Sequence, residues 1–415
     1  MTQKLLIFSM ITLLIGSCSV PYELSQQNLS TLYDYQSNFT QPSYVLYHEK
    51  DTISSLYYTF QWSDFQYLKP TGQLNYSARA SLRLYLRDSY ESKTIIDSNF
   101  IYLTDTAYFG HNYHCLDSLR LFVPKEGEYL LEIKLKDLNR DQEVESFIPV
   151  FKSDQPDQQY FMVRDTKGLP VFSPYITDKQ EFKITSTRYG QSRLFVRYYN
   201  RDFPIAIPPF AADFGEPFDY KEDSSFFIEM HSGSTALLTF PDEGFYHFQP
   251  DSSIKEGCTL FRFADHFQEI KSPEDALPPL RYITTLREFE KISSGSNSKL
   301  AIDSFWLENS GNIDRAKSLI SKYYNRVQDA NRYFSSYIEG WKTDRGMVYI
   351  VFGPPSHVYR GTNTENWVYG DAGYSLSMRF NFVRVNNPFS YNDYSLYRNP
   401  YYKEAWYNTV ENWRR

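Results

Sequence analysis

Apolar and polar residues alternate along the N-terminal part of this chain. Leu56, Tyr58, Phe60 and Trp62 are interleaved with Tyr57, Thr59 and Gln61; Leu82, Leu84 and Leu86 are interleaved with Arg83, Tyr85 and Arg87. Tyr129, Leu131, Ile133 and Leu135 repeat the pattern, a polar turn follows at Asn139-Arg140-Asp141-Gln142, and a closing strand runs through Phe147 to Phe151. A period of two puts one set of side chains on a core and the other on the opposite face, so each run predicts a half-buried β-strand.

A short echo organises these strands. Pro124-Lys125-Glu126-Gly127-Glu128-Tyr129 recurs as Pro241-Asp242-Glu243-Gly244-Phe245-Tyr246, each copy opening an alternating strand. The turn-glycine-tyrosine order fits the corner before the penultimate strand of an immunoglobulin-like sandwich. The reading is two immunoglobulin-like β-sandwiches, 41–152 and 155–268. In the second, Phe203-Pro204, Pro208-Pro209-Phe210 and Glu216-Pro217-Phe218 cannot occupy central strands, because proline lacks the ladder donor. This segment is expected to cover a sheet edge or to contact a partner.

After Lys271-Ser272-Pro273-Glu274-Asp275-Ala276-Leu277-Pro278-Pro279, read as a domain boundary, the period changes. Thr285-Leu286-Arg287-Glu288 has the form of a capping box, and 298–307 reads as a further helix. Ile313, Ala316, Ile320, Tyr323, Val327, Ala330, Phe334 and Tyr337 recur at steps of three and four, which predicts one long amphipathic helix. Gly340 is expected to end it in a left-handed conformation. Trp341 folds back on the helix, Thr343 and Asp344 bond turn amides, and Gly346 completes the turn. Met347 to Phe352 is expected as a strand, stopped by Gly353-Pro354-Pro355. Trp367-Val368-Tyr369 and 375–385 would pair in a small antiparallel sheet under the long helix.

The phrase Gly340-Trp341-Lys342-Thr343-Asp344 closely resembles the signature of the GWxTD-domain family, found in envelope proteins of Bacteroidota-type bacteria. The resemblance extends over 275–415, through Asp303-Ser304-Phe305-Trp306, Tyr323-Tyr324, Trp367, Ala405-Trp406-Tyr407 and Val410-Glu411-Asn412-Trp413-Arg414. It implies an envelope lipoprotein with β-domains ahead of an α+β module, and it carries no catalytic residue set.

The N-terminus fits that address. Lys4 precedes an apolar run from Leu5 to Ile15, and Ile15-Gly16-Ser17-Cys18 resembles a lipobox. The run is too short to span a bilayer, so 1–17 reads as a signal peptide and Cys18 as the lipidation site. Residues 18–40 are expected as a lipidated tether, and acyl chains on Cys18 would anchor the protein to the membrane. No aspartate follows the cysteine and no acidic cluster lies near it, which points to the outer membrane, facing the periplasm.

A net charge of −7 leaves no basic footprint for nucleic acid. The 37 tyrosines and 32 phenylalanines favour a β-rich architecture. Cys115 and Cys258 fall in different predicted domains and are expected to be free thiols. His111-x-x-His114-Cys115 lacks a second ligand pair, so neither a metal nor another cofactor is expected. Asp51-Thr52-Ile53, Asp105-Thr106-Ala107 and Asp117-Ser118-Leu119 resemble a Bacteroidota O-glycosylation sequon at Thr52, Thr106 and Ser118.

Asp344 beside Arg345 invites a catalytic reading, with His357 nearby in sequence. Ser356 and His357 are adjacent and do not form a nucleophile–base pair by default. Gly353-Pro354-Pro355 lacks the amide donors of a phosphate cradle. The expectation is a structural role for Gly340, Trp341, Thr343, Asp344, Gly353, Pro354 and Pro355. The chain would then be a non-enzymatic interaction subunit with an envelope protein partner. Two alternatives stay open: a glycan-binding lipoprotein with aromatic platforms, and an enzyme of unfamiliar type in the C-terminal module.

Overall fold

The N-terminal unit is built from β1 (Ser43–His48), β2 (Ile53–Gln61), β3 (Tyr76–Arg87), β4 (Ile95–Ala107), β5 (His114–Phe122), β6 (Gly127–Asp137) and β7 (Gln142–Lys152). This computed structural model describes residues 22–34, 38–69, 71–72, 75–107, 114–190, 193–212, 218–371 and 377–414. The seven strands form two antiparallel sheets, β1-β2-β5 and β4-β3-β6-β7. Leu56, Tyr58 and Phe60 from one sheet meet Leu82, Leu84, Leu131 and Ile133 from the other in one apolar core. Each such side chain stabilises the fold by about 1.5–3 kcal/mol. The alternation predicts this packing directly.

The second unit comprises β8 (Met162–Asp165), β9 (Phe182–Thr185), β10 (Arg193–Tyr199), β11 (Ser224–His231), β12 (Ser234–Thr235), β13 (Gly244–Gln249) and β14 (Cys258–Arg262). These join in a single sheet, order β14-β13-β10-β11-β12-β9-β8. Where a second sandwich is expected, the strand pairing runs on from one half to the other, and Phe182 and Ile184 of β9 share one apolar core with Leu194 of β10 and Phe248 of β13. The left-handed pair Ser232 and Gly233 turns β11 into β12, and β12 then pairs with β9, so the two halves are continuous. The echo survives in three dimensions. Tyr129 donates its hydroxyl to Glu126 O (3.2 Å) and Tyr246 donates to Asp242 O (3.1 Å).

The C-terminal module holds α1 (Pro273–Ala276), α2 (Leu286–Ser293), α3 (Ser298–Ser310), α4 (Ile313–Phe334), α5 (Asp344–Phe352), β15 (His357–Arg360), β16 (Thr364–Tyr369), β17 (Met378–Arg384), β18 (Tyr394–Leu396) and α6 (Tyr402–Trp413). Its sheet is antiparallel, β15-β16-β17-β18. Thr285 and Glu288 cap α2 reciprocally, as the sequence predicts. The stripe of α4 is buried at Ala316, Tyr323, Val327, Ala330 and Phe334. The long helix does not rest on the sheet as expected. It lies along α5, and its last residue, Phe334, reaches Trp367 of β16 (ring centroids 5.3 Å).

Three segments singled out in the sequence are ordered. Residues 271–279, read as a domain boundary, hold the start of α1, with Ser272 and Asp275 capping it and Asp275 meeting His266 Nε2 at 2.8 Å. Within the 18–40 tether, residues 24–33 are docked: Leu24, Leu29 and Tyr33 are buried, and Leu29 N donates to Val358 O (2.8 Å). The proline-rich segment, expected to cover a sheet edge or to contact a partner, is held by its own chain over its described residues. It straps onto the C-terminal module, with Ala206 N donating to Lys342 O (2.9 Å) and Asn399 N to Pro209 O (3.0 Å). Among the described residues, no helix is long and apolar enough to cross a membrane.

Candidate functional site

The signature folds around α5, which replaces the strand expected at Met347–Phe352. Met347 to Val351 are all buried, so no face alternates, and such a run suits an enclosed helix as well as a strand. The cap decides. Thr343 Oγ1 accepts from Gly346 N (3.1 Å) and donates to Gly340 O (2.8 Å).

Gly340 does not end α4, which stops at Phe334; it sits in a short 3-10 turn. Its lack of a side chain serves close approach. A Cβ at Gly340 would lie 2.0 Å from Ala330 O, and one at Gly346 would lie 1.9 Å from Gly340 O. Trp341 is buried, donates its N–H to Asn331 Oδ1 (3.1 Å) and accepts from Tyr282 Oη at its carbonyl (2.9 Å). Gly353 ends α5 with φ +93, and Arg326 caps the last carbonyls at Ile350 O (3.0 Å) and Val351 O (3.2 Å). Pro354 is exposed and Pro355 buried beyond that stop.

Asp344 and Arg345 leave the helix start in different directions. Asp344 Oδ2 accepts from Leu396 N (2.7 Å) and Arg398 Nη1 (3.1 Å), and its Oδ1 meets Arg398 Nη2 (2.5 Å). Standing in the first turn of α5, it also complements the helix dipole. Arg345 is buried against Asn392 Oδ1 (2.5 Å) and Glu365 Oε2 (3.5 Å), with its guanidinium 4.2 Å from the Tyr394 ring centroid.

Glu365 is the hub of this cluster. It is fully buried and accepts from Tyr33 Oη (2.6 Å), Trp367 Nε1 (2.6 Å) and Arg360 Nε (2.9 Å). Burial alone would raise its pKa, but Arg360 and Arg345 outweigh burial and hold it below the ordinary glutamate value. Burial pushes Asp393 the other way, up to about 6, with Tyr337 and Asn387 donating to its Oδ2.

No catalytic constellation assembles from the residues the sequence nominated. Asp344 opens α5, a nine-residue helix about 13 Å long, and His357 follows beyond its far end in β15. His357 is in β15 rather than a loop, and its Nδ1 is buried without a partner among the described residues. Cys115 and Cys258 are free, their thiols raised by burial to about 11 and about 12, values that suit inert core residues. Thr106 is exposed on β4, while Thr52 and Ser118 are half-buried. Cys18 and His111 lie outside the described residues. Among those described, no three His, Cys, Asp or Glu side chains converge on a metal position.

An open groove of about 920 Å³ lies beside the signature, between the proline-rich strap and α6. Ile205, Ala206, Pro208 and Phe210 form one wall, and Trp406, Tyr407 and Val410 form the other. Arg281 and Arg414 stand at its rim, and Arg414 is paired with Glu288. Sequence reasoning missed Arg398, Glu365, Arg360, Tyr33 and this groove. Spacing carries no signal for Arg398 with Asp344, 54 residues apart, or for Tyr33 with Glu365, 332 apart, while Arg360 and Glu365, five apart on neighbouring strands, form no recognised motif.

Residues 244–415 match the family model of the GWxTD domain, so the chain is a GWxTD-domain-containing protein. The match opens at β13, upstream of the boundary expected at 275. No curated protein matches the chain. Among solved structures, a crystal structure of red sea bream transglutaminase is similar at 10% identity and a TM-score of 0.20. The similarity covers 55% of this chain and 32% of that one, and at that TM-score it carries no argument about fold or activity.

Proposed function

We propose that this GWxTD-domain-containing protein is a non-enzymatic interaction or scaffold subunit of an envelope assembly. In this reading a lipid on Cys18 holds it to the outer membrane, facing the periplasm, and the first unit is an immunoglobulin-like sandwich. One observation carries the reading: the polar groups of the signature are engaged inside the fold. Asp344 is paired with Arg398 and Leu396 N, and Thr343 caps α5. The groove between the strap and α6 then offers a partner apolar walls with polar and charged groups set among them, at the module's flank.

The other readings have less support. Stacking a sugar needs an open, flat aromatic platform. All six tryptophans are buried, and the exposed pair Phe100 and Tyr102 cross at 74°. An enzyme would need Asp344 free toward a substrate, and its side chain is only 10% exposed.

Crosslinked affinity purification from native membranes tests the reading. The expected result is one dominant envelope protein, lost on Tyr407→Asp in the groove. Asp344→Asn supplies the opposing test. If that variant is stable and correctly localised yet fails to complement a deletion, the structural reading of the signature falls. For the anchor, Cys18→Ser should abolish acyl labelling.

A further inference from the structure

The two sides of the N-terminal sandwich are finished differently. On one side the edges of β1 and β7 are plugged. His48 Nε2 meets Phe151 O at 2.9 Å, while Gln159 donates to Pro149 O (2.7 Å) and accepts from Phe151 N (3.0 Å). On the other side lies β4, 13 residues long and the last strand of its sheet. Among the described residues, no strand pairs with its outer edge. The strand contains no lysine, arginine or proline; its only charges, Asp97 and Asp105, are engaged within the sandwich, and its one bulge lies at its first residues, where Arg87 faces Ile95 and Leu86 faces Asp97. Arg79 O accepts from Leu138 N on the β6 side of β3, so the even residues of β3 and their odd-numbered partners in β4, such as Leu82 with Ile101, bond each other. From Ser98 onward the even-numbered residues of β4 therefore direct their backbone groups outward, where Asn99 Oδ1 meets Phe100 N (2.8 Å). Phe100 and Tyr102, each 62% exposed, belong to that even set.

We propose that β4 pairs antiparallel with β4 of a second copy of this chain, Phe100 facing Phe100, joining two four-stranded sheets into one of eight. The register follows from the sequence of the strand. Backbone parity allows pairing centres at Phe100, Ile101 or Tyr102, with even residues opposite even residues. A centre at Ile101 sets Asp97 opposite Asp105 at both ends, like charges directly across the ladder. A centre at Tyr102 leaves Ile95 and Ile96 without partners. A centre at Phe100 leaves out only Thr106 and Ala107, and it puts Tyr102 diagonal to Phe100 of the second copy. Both aspartates already have partners: Asp97 accepts from Phe122 N (2.7 Å) and Asp105 from Tyr67 Oη (2.6 Å).

The symmetry of this pairing is a two-fold axis perpendicular to the sheet. Tyr22 lies on the sheet face that carries Phe100, its hydroxyl on Glu132 (2.9 Å) and its ring against Arg87. The two-fold therefore places Tyr22 of both copies on one side, as two chains anchored in one membrane require. That last match rests on the proposed lipid anchor; the pairing does not.

Cysteine crosslinking of the full-length protein in native membranes tests the proposal. Phe100→Cys should give a self-linked dimer under mild oxidation, well above the unsubstituted chain, while Tyr102→Cys should not. In detergent the unsubstituted protein should measure as a dimer. Tyr102→Pro removes an outward N–H without touching the β3 ladder and should weaken association about tenfold, with an unchanged melting curve. A monomer at every concentration overturns the proposal, as does a Phe100→Cys link to a different polypeptide or stronger self-linking at position 102. If Tyr102→Pro lowers the melting temperature, Phe100→Lys replaces it as the edge-blocking variant.

Discussion

The N-terminal sandwich and the C-terminal module bury their interiors by different means. Between its two sheets the sandwich gathers aliphatic and aromatic side chains, with Leu82, Leu84, Leu86, Leu131 and Ile133 essentially without solvent. The module surrounds a carboxylate instead. Glu365 is as buried as those leucines, and two arginines, a tyrosine and an indole converge on it. An apolar core tolerates sliding and repacking, whereas a buried charge accepts few arrangements. The difference teaches where charge fixes geometry: in the sandwich on one sheet's outer face, where Glu132 is buried against Arg87 (2.6 Å), and in the module at the centre of its core.

The largest test of that contrast is Glu365→Gln. It leaves Arg345 and Arg360 buried without their carboxylate and should lower stability by about 3–5 kcal/mol. Adding Arg345→Met should cost less than the sum of the two single changes, and a double-mutant cycle by chemical denaturation reads the coupling. Leu84→Ala opens a cavity in the sandwich and should cost about 2–5 kcal/mol, with no dependence on salt. Trp341→Ala belongs to the module but acts like a sandwich mutation, losing about 3–5 kcal/mol through a lost aromatic. Equal salt sensitivity at Leu84 and Glu365 would erase the contrast.

Protonation separates the regions again. His48 on β1 and His247 on β13 share one arrangement, Nε2 donating to a backbone carbonyl and Nδ1 accepting from a hydroxyl. Burial lowers them to about 3 and about 4. The folded β-units thus bind fewer protons than the unfolded chain. Their stability is full above the free histidine value near 6.5 and declines as pH falls toward those folded values, by up to about 1.4 kcal/mol per pH unit for each histidine. Asp393 in the module has the opposite sign. Its folded value is raised to about 6, so its effect on stability is most favourable below about 4 and is lost as pH rises through 6. Melting curves from pH 4 to 8 should flatten at the acid end in His247→Gln and steepen there in Asp393→Asn, which removes the opposing contribution between about 4 and 6. The smallest expected change is Asp344→Asn, about 1–3 kcal/mol, since the amide keeps its shape and one acceptor oxygen for Leu396 N and Arg398.

The sandwich was legible because its rule is local. Leu82, Leu84 and Leu86 state their burial within five residues, and the capping box at Thr285 and Glu288 is equally self-contained. The signature was half legible. Trp341 reads as buried from its type, yet the helix at Asp344–Phe352 was hidden by an apolar run that lacks a period. The role of Gly340 was misread, since its purpose is a carbonyl ten residues back and not a left-handed turn. The proline-rich segment was visible but its docking was not, and Arg398 left no trace, because their partners lie far along the chain. Ile207 O, for one, accepts from Arg398 at 3.4 Å.

Tyr33 precedes the carboxylate it bonds by 332 residues, and its own carbonyl accepts from Tyr349 Oη at 3.0 Å. Synthesis therefore sets a schedule. At about 5–20 residues per second, the segment around Leu29 and Tyr33 emerges roughly 15–70 s before Glu365 does. During that interval its apolar side chains have no module to enter, and the sandwich can finish folding while they wait. When the last strands arrive, closing so long a loop demands entropy that nearby contacts never require. Deleting residues 24–33 should for that reason leave a module with one wall missing, while the sandwich folds on its own schedule.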